Sequence, residues 1–177
     1  MPRLFTALAL PPQTRAALAL TRGGLFGAHW SEPDDYHLTL RFIGDIDTRM
    51  ADEVAAALDE ARRPAFPVAF EGLSWFGGDK PRAVIARVKP APALVELAAD
   101  QERRLRRLGL PPERRQFTPH VTLARMRGVS PAAVADYLAS RGRLEAPGFT
   151  AESFVLMSAR DGVGGGPYVV EGEYPLA

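Results

Sequence analysis

Apolar positions along the chain fall into short runs with two different periods. Residues 4–10, LFTALAL, are almost continuously apolar, the pattern of a strand buried on both faces. Residues 11–24, PPQTRAALALTRGG, place prolines where a first helical turn accepts them and glycines where a helix stops. A second strand is predicted over 36–43, YHLTLRFI, closed by Gly44–Asp45. Over 47–64 the period changes to helical, with Met50, Val54, Ala57, Leu58 and Ala61 on one face. Residues 66–77 and 83–89 read as a hairpin around GGDKP. A long helix over 91–110 turns Leu94, Ala98, Leu105 and Leu108 inward. A strand over 116–126, QFTPHVTLARM, follows, and then a short helix with Ser130 as its cap and Pro131 at its first position. Residues 148–160 and 167–176 close the chain as a strand pair around DGVGGG.

The order is strand, helix, strand, helix, hairpin, helix, strand, helix, hairpin, with no linker or low-complexity segment. It predicts one α+β domain over residues 1–177 in two lobes, each an antiparallel sheet with helices on one face. Length supports this, because 177 residues make one domain with a sizeable core. Charge adds little: 22 basic residues face 21 acidic ones, so any attraction for nucleic acid is local. The absence of Cys excludes disulfides, thiolate nucleophiles and Cys-ligated zinc. No apolar run approaches the roughly 20 residues of a membrane helix. MPRLFTALALPP has the outline of a short signal peptide, but it reads better as a buried first strand stopped by Pro11–Pro12. A cytoplasmic location and a monomer are therefore expected.

Two strand segments carry an unexpected residue. YHLTL at 36–40 and HVTL at 120–123 each read His, apolar, Thr, Leu, 83 positions apart, and the chain has only three histidines. Strand side chains alternate faces, so His37 and Thr39 share one face while Leu38 and Leu40 share the other. His120 and Thr122 repeat the arrangement against Val121 and Leu123. Imidazole exchanges protons near neutral pH. Two rings across a small reacting group, on the order of 6 Å apart, make an acid–base pair, each within hydrogen-bond reach of the centre. Phosphorus suits them, since in-line displacement puts nucleophile and leaving oxygen on opposite sides and threonine hydroxyls can hold the remaining oxygens. A metal site is the poorer fit, because each strand offers one His, with Thr where a second ligand would stand.

With these motifs the sequence resembles the two-histidine (2H) phosphoesterase superfamily, and within it the RNA 2′,3′-cyclic phosphodiesterases, also called 2′-5′ RNA ligases. The resemblance runs through RLFTALALP, HWSEPDDYHLTLRFIGD, FEGLSWFG, FTPHVTLAR and the ending SFVLMSAR…GPYVVEGEYPL. It implies two pseudo-symmetric lobes with the HxTx strands lining a central cleft. It also implies cofactor-free and metal-independent opening of RNA 2′,3′-cyclic phosphate ends to 2′-phosphates. His37 would be the proton donor and His120 the proton acceptor, with Thr39, Thr122 and Arg125 binding substrate. The substrates would be RNA ends or small cyclic nucleotides. The same pair run backward joins RNA ends, and an RNA-binding module with little catalysis is the competing reading. Strict alternation points Arg125 away from His120, so its assignment requires a bulge or a strand end.

Weaker features stand beside these. Arg41 shares parity with His37 and Thr39, and so is expected either at the cleft or as a solvated strand-end side chain. Trp30 suits packing more than base stacking, and His29 suits the surface. DGVGGGPY reads as a hairpin turn rather than a phosphate cradle, and stacking or hydrogen bonding near the cleft is the less favoured reading of Tyr168 just beyond it. Arg103, Arg104, Arg106, Arg107, Arg114 and Arg115 form a local basic cluster whose default is a solvated helix face.

Overall fold

The computed structural model describes residues 3–159 and 168–177. The DGVGGG turn lies outside them. The strands are β1 (Arg3–Ala9), β2 (Ala28–Trp30), β3 (His37–Asp45), β4 (Phe66–Val68), β5 (Phe70–Phe76), β6 (Ala83–Val88), β7 (His120–Met126), β8 (Phe149–Ala151), β9 (Ser153–Ala159) and β10 (Tyr168–Pro175). The helices are α1 (Pro12–Ala19), α2 (Thr48–Asp59), α3 (Pro92–Arg107) and α4 (Pro131–Arg141). The architecture is α+β with antiparallel sheets, and the strand order is β10-β9-β1-β3-β7-β6-β5, with β2 also paired to β7. β4 and β8 form a separate two-stranded sheet.

Among the described residues this order divides into two lobes whose strands pair at one position, Leu38 opposite Val121. One lobe is β10-β9-β1-β3 and the other β2, β7, β6 and β5. Each lobe contains a strand from the other half of the sequence. Apart from β2, the first half runs β1-α1-β3-α2-β4-β5, and its last strand pairs with β6. Apart from the closing β10, the second runs β6-α3-β7-α4-β8-β9, and β9 pairs with β1. The duplication suggested by the two motifs thus extends over the element order apart from β2 and β10, with β5 and β9 exchanged.

Local chemistry explains the boundaries. Asp47 accepts a hydrogen bond from the Met50 amide at 2.8 Å and opens α2, and Ser130 does the same for α4 through the Ala133 amide. α1 ends at Ala19, earlier than the glycines suggested. β7 begins only at His120, because Pro119 has no amide to pair. The expected strand 66–77 breaks at Ala69, and 148–160 breaks at Glu152, where β4 and β8 leave to pair with each other. β2 has no clear period in the sequence and was not expected. The GGDKP turn requires its glycine: Gly77 has φ +114, and a Cβ there would sit 2.2 Å from the Lys80 carbonyl oxygen.

The main core lies between the sheets and the helices. Leu38, Leu40, Val121 and Leu123 are buried in it with Leu94, Leu97 and Leu105 of α3 and Val54 and Leu58 of α2. β1 is buried along nearly its whole length, as its continuous apolar run predicts. A smaller cluster of Phe5, Ala7 and Val155, with Met157 and Tyr168 against it, covers the opposite face of the first lobe. The anchoring leucines therefore leave the His and Thr faces free of helices.

Candidate active site

The one pair joining the lobes also assembles the motif residues. With Leu38 opposite Val121 in antiparallel register, His37 falls opposite Thr122 and Thr39 opposite His120. All four share the face opposite the buried leucines and are half-buried. The two histidines are diagonal neighbours across the strand pair, for which Cα atoms lie roughly 7–8 Å apart. The spacing suits two rings on either side of one phosphoryl group.

Beyond the threonines both strands change parity at the same place. Thr6 pairs with Arg41 and Ala7 with Thr39, so Leu40 is an extra residue in β3. Val84 pairs with Ala124 and Ile85 with Thr122, so Leu123 is the corresponding extra residue in β7. A bulge re-aims every following side chain. Arg125 is exposed rather than directed into the core, as its assignment required. Arg41 moves the other way, and both expectations for it are corrected. It is 7% exposed, on the helix side, paired with Glu102 of α3 and donating to the carbonyls of Phe42 and Pro111. Phe42, at the position equivalent to Arg125, is 46% exposed.

Each imidazole is held through Nδ1 by the carbonyl two residues earlier. His37 Nδ1 is 2.8 Å from the Asp35 oxygen, and His120 Nδ1 is 2.6 Å from the Thr118 oxygen. A carbonyl only accepts, so Nδ1 carries the proton in both rings and Nε2 is left for chemistry. Aromatic edges fix the planes. The Tyr168 ring meets His37 edge-on at 4.9 Å with Phe5 also at 4.9 Å, and the Phe76 ring meets His120 edge-on at 4.7 Å. Burial holds both imidazoles below the usual histidine range, partly opposed in each by the carbonyl on Nδ1. For His37 the neighbouring His120 and Arg125 push the same way as burial, while Asp35 opposes. Tyr168, raised by burial, shares a hydrogen bond with the Arg125 guanidinium. Arg125 thus crosses from the second lobe to Tyr168 and His37 in the first.

The remaining features sort clearly. Trp30 packs on Tyr137 at 5.6 Å and against the core, and His29 is exposed. Of the basic cluster, Arg103 and Arg104 pair with Asp100, while Arg106, Arg107, Arg114 and Arg115 are exposed without an ion pair among the described residues. Among the described residues no three His, Cys, Asp or Glu side chains converge as a metal would require. Phe5 and Phe76 are site residues that sequence reasoning missed. Both sit in strands whose apolar residues look alike, and only the third dimension shows which ones meet an imidazole.

Comparison with known proteins agrees with this geometry. The model of the LigT-like phosphoesterases matches residues 8–86 and 87–168, nearly the whole chain in two stretches. The RNA 2′,3′-cyclic phosphodiesterase of Aeropyrum pernix is 37% identical over 99 residues, covering 55% of this chain and 56% of that protein. The protein of the same name from Geobacillus stearothermophilus is 36% identical over 129 residues, covering 68% of this chain and 41% of that one. The chain therefore spans about half the length of these curated relatives. The crystal structure of TT0787 of Thermus thermophilus superposes with a TM-score of 0.83 at 26% identity, covering 98% of this chain and 97% of that one. The duplicated strand order, the paired motifs and these matches agree, and the chain belongs to the family of LigT-like phosphoesterases.

Proposed function

We propose that the protein is a metal-independent hydrolase that opens RNA 2′,3′-cyclic phosphate ends to 2′-phosphates. The observation that carries this reading is the quartet of His37, Thr122, Thr39 and His120 on one open face, set by the Leu38–Val121 register. Two curated relatives named RNA 2′,3′-cyclic phosphodiesterase support the substrate. Small cyclic nucleotides present the same reacting group and are substrates too. The protein acts as a cytoplasmic monomer, a single domain needing no cofactor, because two imidazoles supply both proton transfers.

His120 is the acceptor. Its Nε2 takes a proton from water as the water oxygen bonds to phosphorus. His37 is the donor. Its Nε2–H protonates the 3′ oxygen as the P–O3′ bond breaks, leaving a 3′-hydroxyl and a 2′-phosphomonoester. The two rings end with their protonation exchanged and reset through solvent. Thr39 and Thr122 donate to the non-bridging oxygens, and Arg125 neutralises the charge gathering there. In the resting site burial favours neutral rings. The arriving phosphate anion raises His37 and supplies the protonated donor. A 5′-hydroxyl attacking in place of water gives ligation through the same pair. Water at about 55 M opposes it unless RNA ends are held together.

A short RNA ending in a 2′,3′-cyclic phosphate, incubated with enzyme and EDTA, tests the proposal. The expected product is a 2′-phosphate end, lost in His37→Ala and His120→Ala variants that still bind RNA. A 3′-phosphate product, or no turnover with RNA still bound, overturns it.

A further inference from the structure

The pseudo-symmetry relating β3 to β7 fails at one place. In the second lobe β2 covers the edge of β7, Ala28–Trp30 pairing with residues 126–124. Shifted by the motif spacing of 83, the equivalent cover for residues 41–43 of β3 is residues 111–113. No ladder forms there, because Pro111 and Pro112 have no amide to donate. A cavity of about 350 Å³ opens instead, lined by Phe42, Ile43, Leu110, Glu113, Arg114 and Arg115 among others.

Its chemistry is specific. Phe42 is 46% exposed and pairs across strands with Phe5, whose ring lies against His37. Arg114 and Arg115 are exposed and make no ion pair among the described residues. Glu113 is engaged locally, its side chain accepting from the Arg115 amide at 3.1 Å. An open aromatic face beside guanidinium groups that form no ion pair, two of them to the one Glu113 carboxylate of the lining, is a combination that holds an unpaired nucleotide. The base stacks on the ring and the phosphate meets the cations. Phe42 stands five residues along β3 from His37, on the order of 15 Å. That is beyond a nucleoside whose cyclic phosphate sits between the histidines.

We propose that this cavity is a subsite for the RNA strand upstream of the cyclic end, with a base on Phe42 and a backbone phosphate on Arg114 and Arg115. The proposal rests on the cyclic phosphodiesterase reading and makes the protein prefer oligonucleotides to mononucleotides.

The test compares kcat/KM for a nucleoside 2′,3′-cyclic phosphate and for an RNA pentamer with the same end. The enzymes are wild type, Phe42→Leu, Phe42→Trp and the double variant Arg114→Gln/Arg115→Gln. Wild type should favour the pentamer. The Leu and double-Gln variants should lose roughly 10-fold on the pentamer, through KM, and keep mononucleotide turnover, which also reports an intact fold. The Trp variant should keep both. Equal loss on both substrates, or no loss on either, overturns the subsite. If wild type turns over neither substrate, the cyclic phosphodiesterase reading fails, and anisotropy with a labelled pentamer decides the subsite alone. Binding weakened in the Leu and double-Gln variants supports it, and unchanged binding refutes it.

Discussion

Replacing Arg125 with Met separates two effects that move in opposite directions. The guanidinium shares a hydrogen bond with Tyr168 and lowers the His37 pKa. A hydrogen bond to a charged group contributes about 1.5–3 kcal/mol, and each 1.4 kcal/mol is a factor of ten in rate. Because Arg125 is exposed, the lower part of that range applies, and kcat/KM should fall roughly 10- to 100-fold. The pH profile should move as well. The two imidazoles are coupled, so neither apparent pKa belongs to one ring. Their sum is still defined, since it measures removal of both protons. Taking away a cation raises that sum, so the midpoint of the bell in kcat/KM must move to higher pH. Arg125→Lys keeps the charge but not the fork, so it should hold the midpoint near wild type while recovering only part of the rate. Initial rates on a cyclic-phosphate RNA from pH 5 to 9 read both quantities. A midpoint that stays fixed or moves down in Arg125→Met would refute the proximity argument, whatever the rate does.

Other outcomes follow from the same contacts. His37→Ala and His120→Ala should each lower kcat by about 10²–10⁴, the usual contribution of a positioned acid or base, measured by single-turnover kinetics. Both histidines sit below their unfolded value of about 6.5. Their contribution to stability is therefore present above that pH and is lost as pH falls through the folded values. The melting temperature should drop between pH 7.5 and 5.5, and the drop should shrink in His37→Asn/His120→Asn. Glu102→Ala leaves the buried Arg41 without its anion and should cost about 3 kcal/mol in urea unfolding. A fragment of residues 1–80 keeps β5 but lacks β6, its pairing partner. It should show no cooperative thermal transition by circular dichroism, and a sharp transition would speak against one domain.

The sequence made the motif strands legible because their alternation is strong. His37 and Thr39 had to share a face once Leu38 and Leu40 were assigned to the core, and the structure agrees. It misled at Arg41 and left Arg125 conditional for one reason. A bulge adds a residue without changing the local composition, so parity counted past Thr39 fails. The double occurrence was the available clue. RF after HLTL and AR after HVTL put a polar side chain on both parities, and only cross-strand partners decide between them. β2 and the β4–β8 pair were illegible because three-residue strands carry too little period to detect. The pairing of Leu38 with Val121, which brings the two histidines together, is a contact between distant segments that no local pattern encodes.

A duplicated fold raises a chemical difficulty. Two equivalent strands place two equivalent imidazoles, each with its Nδ1 on the carbonyl two residues back, yet hydrolysis needs one donor and one acceptor. The difference comes from the position five residues after each histidine. Where the second half has Arg125, the first has Phe42, and the common bulge exposes both. The cation lies near His37 and lowers its pKa. For His120 the causes of the shift are burial and the Thr118 carbonyl alone. A cation beside a proton donor loosens its proton and helps deliver it to the leaving oxygen, whereas beside a proton acceptor it would weaken the base. The proposed roles follow this asymmetry. Exchanging the two side chains, as Phe42→Arg/Arg125→Phe, therefore tests more than phosphate binding. If the cation sets the direction, the exchanged enzyme should release His37 upward, read by imidazole resonances, with turnover of the cyclic end impaired.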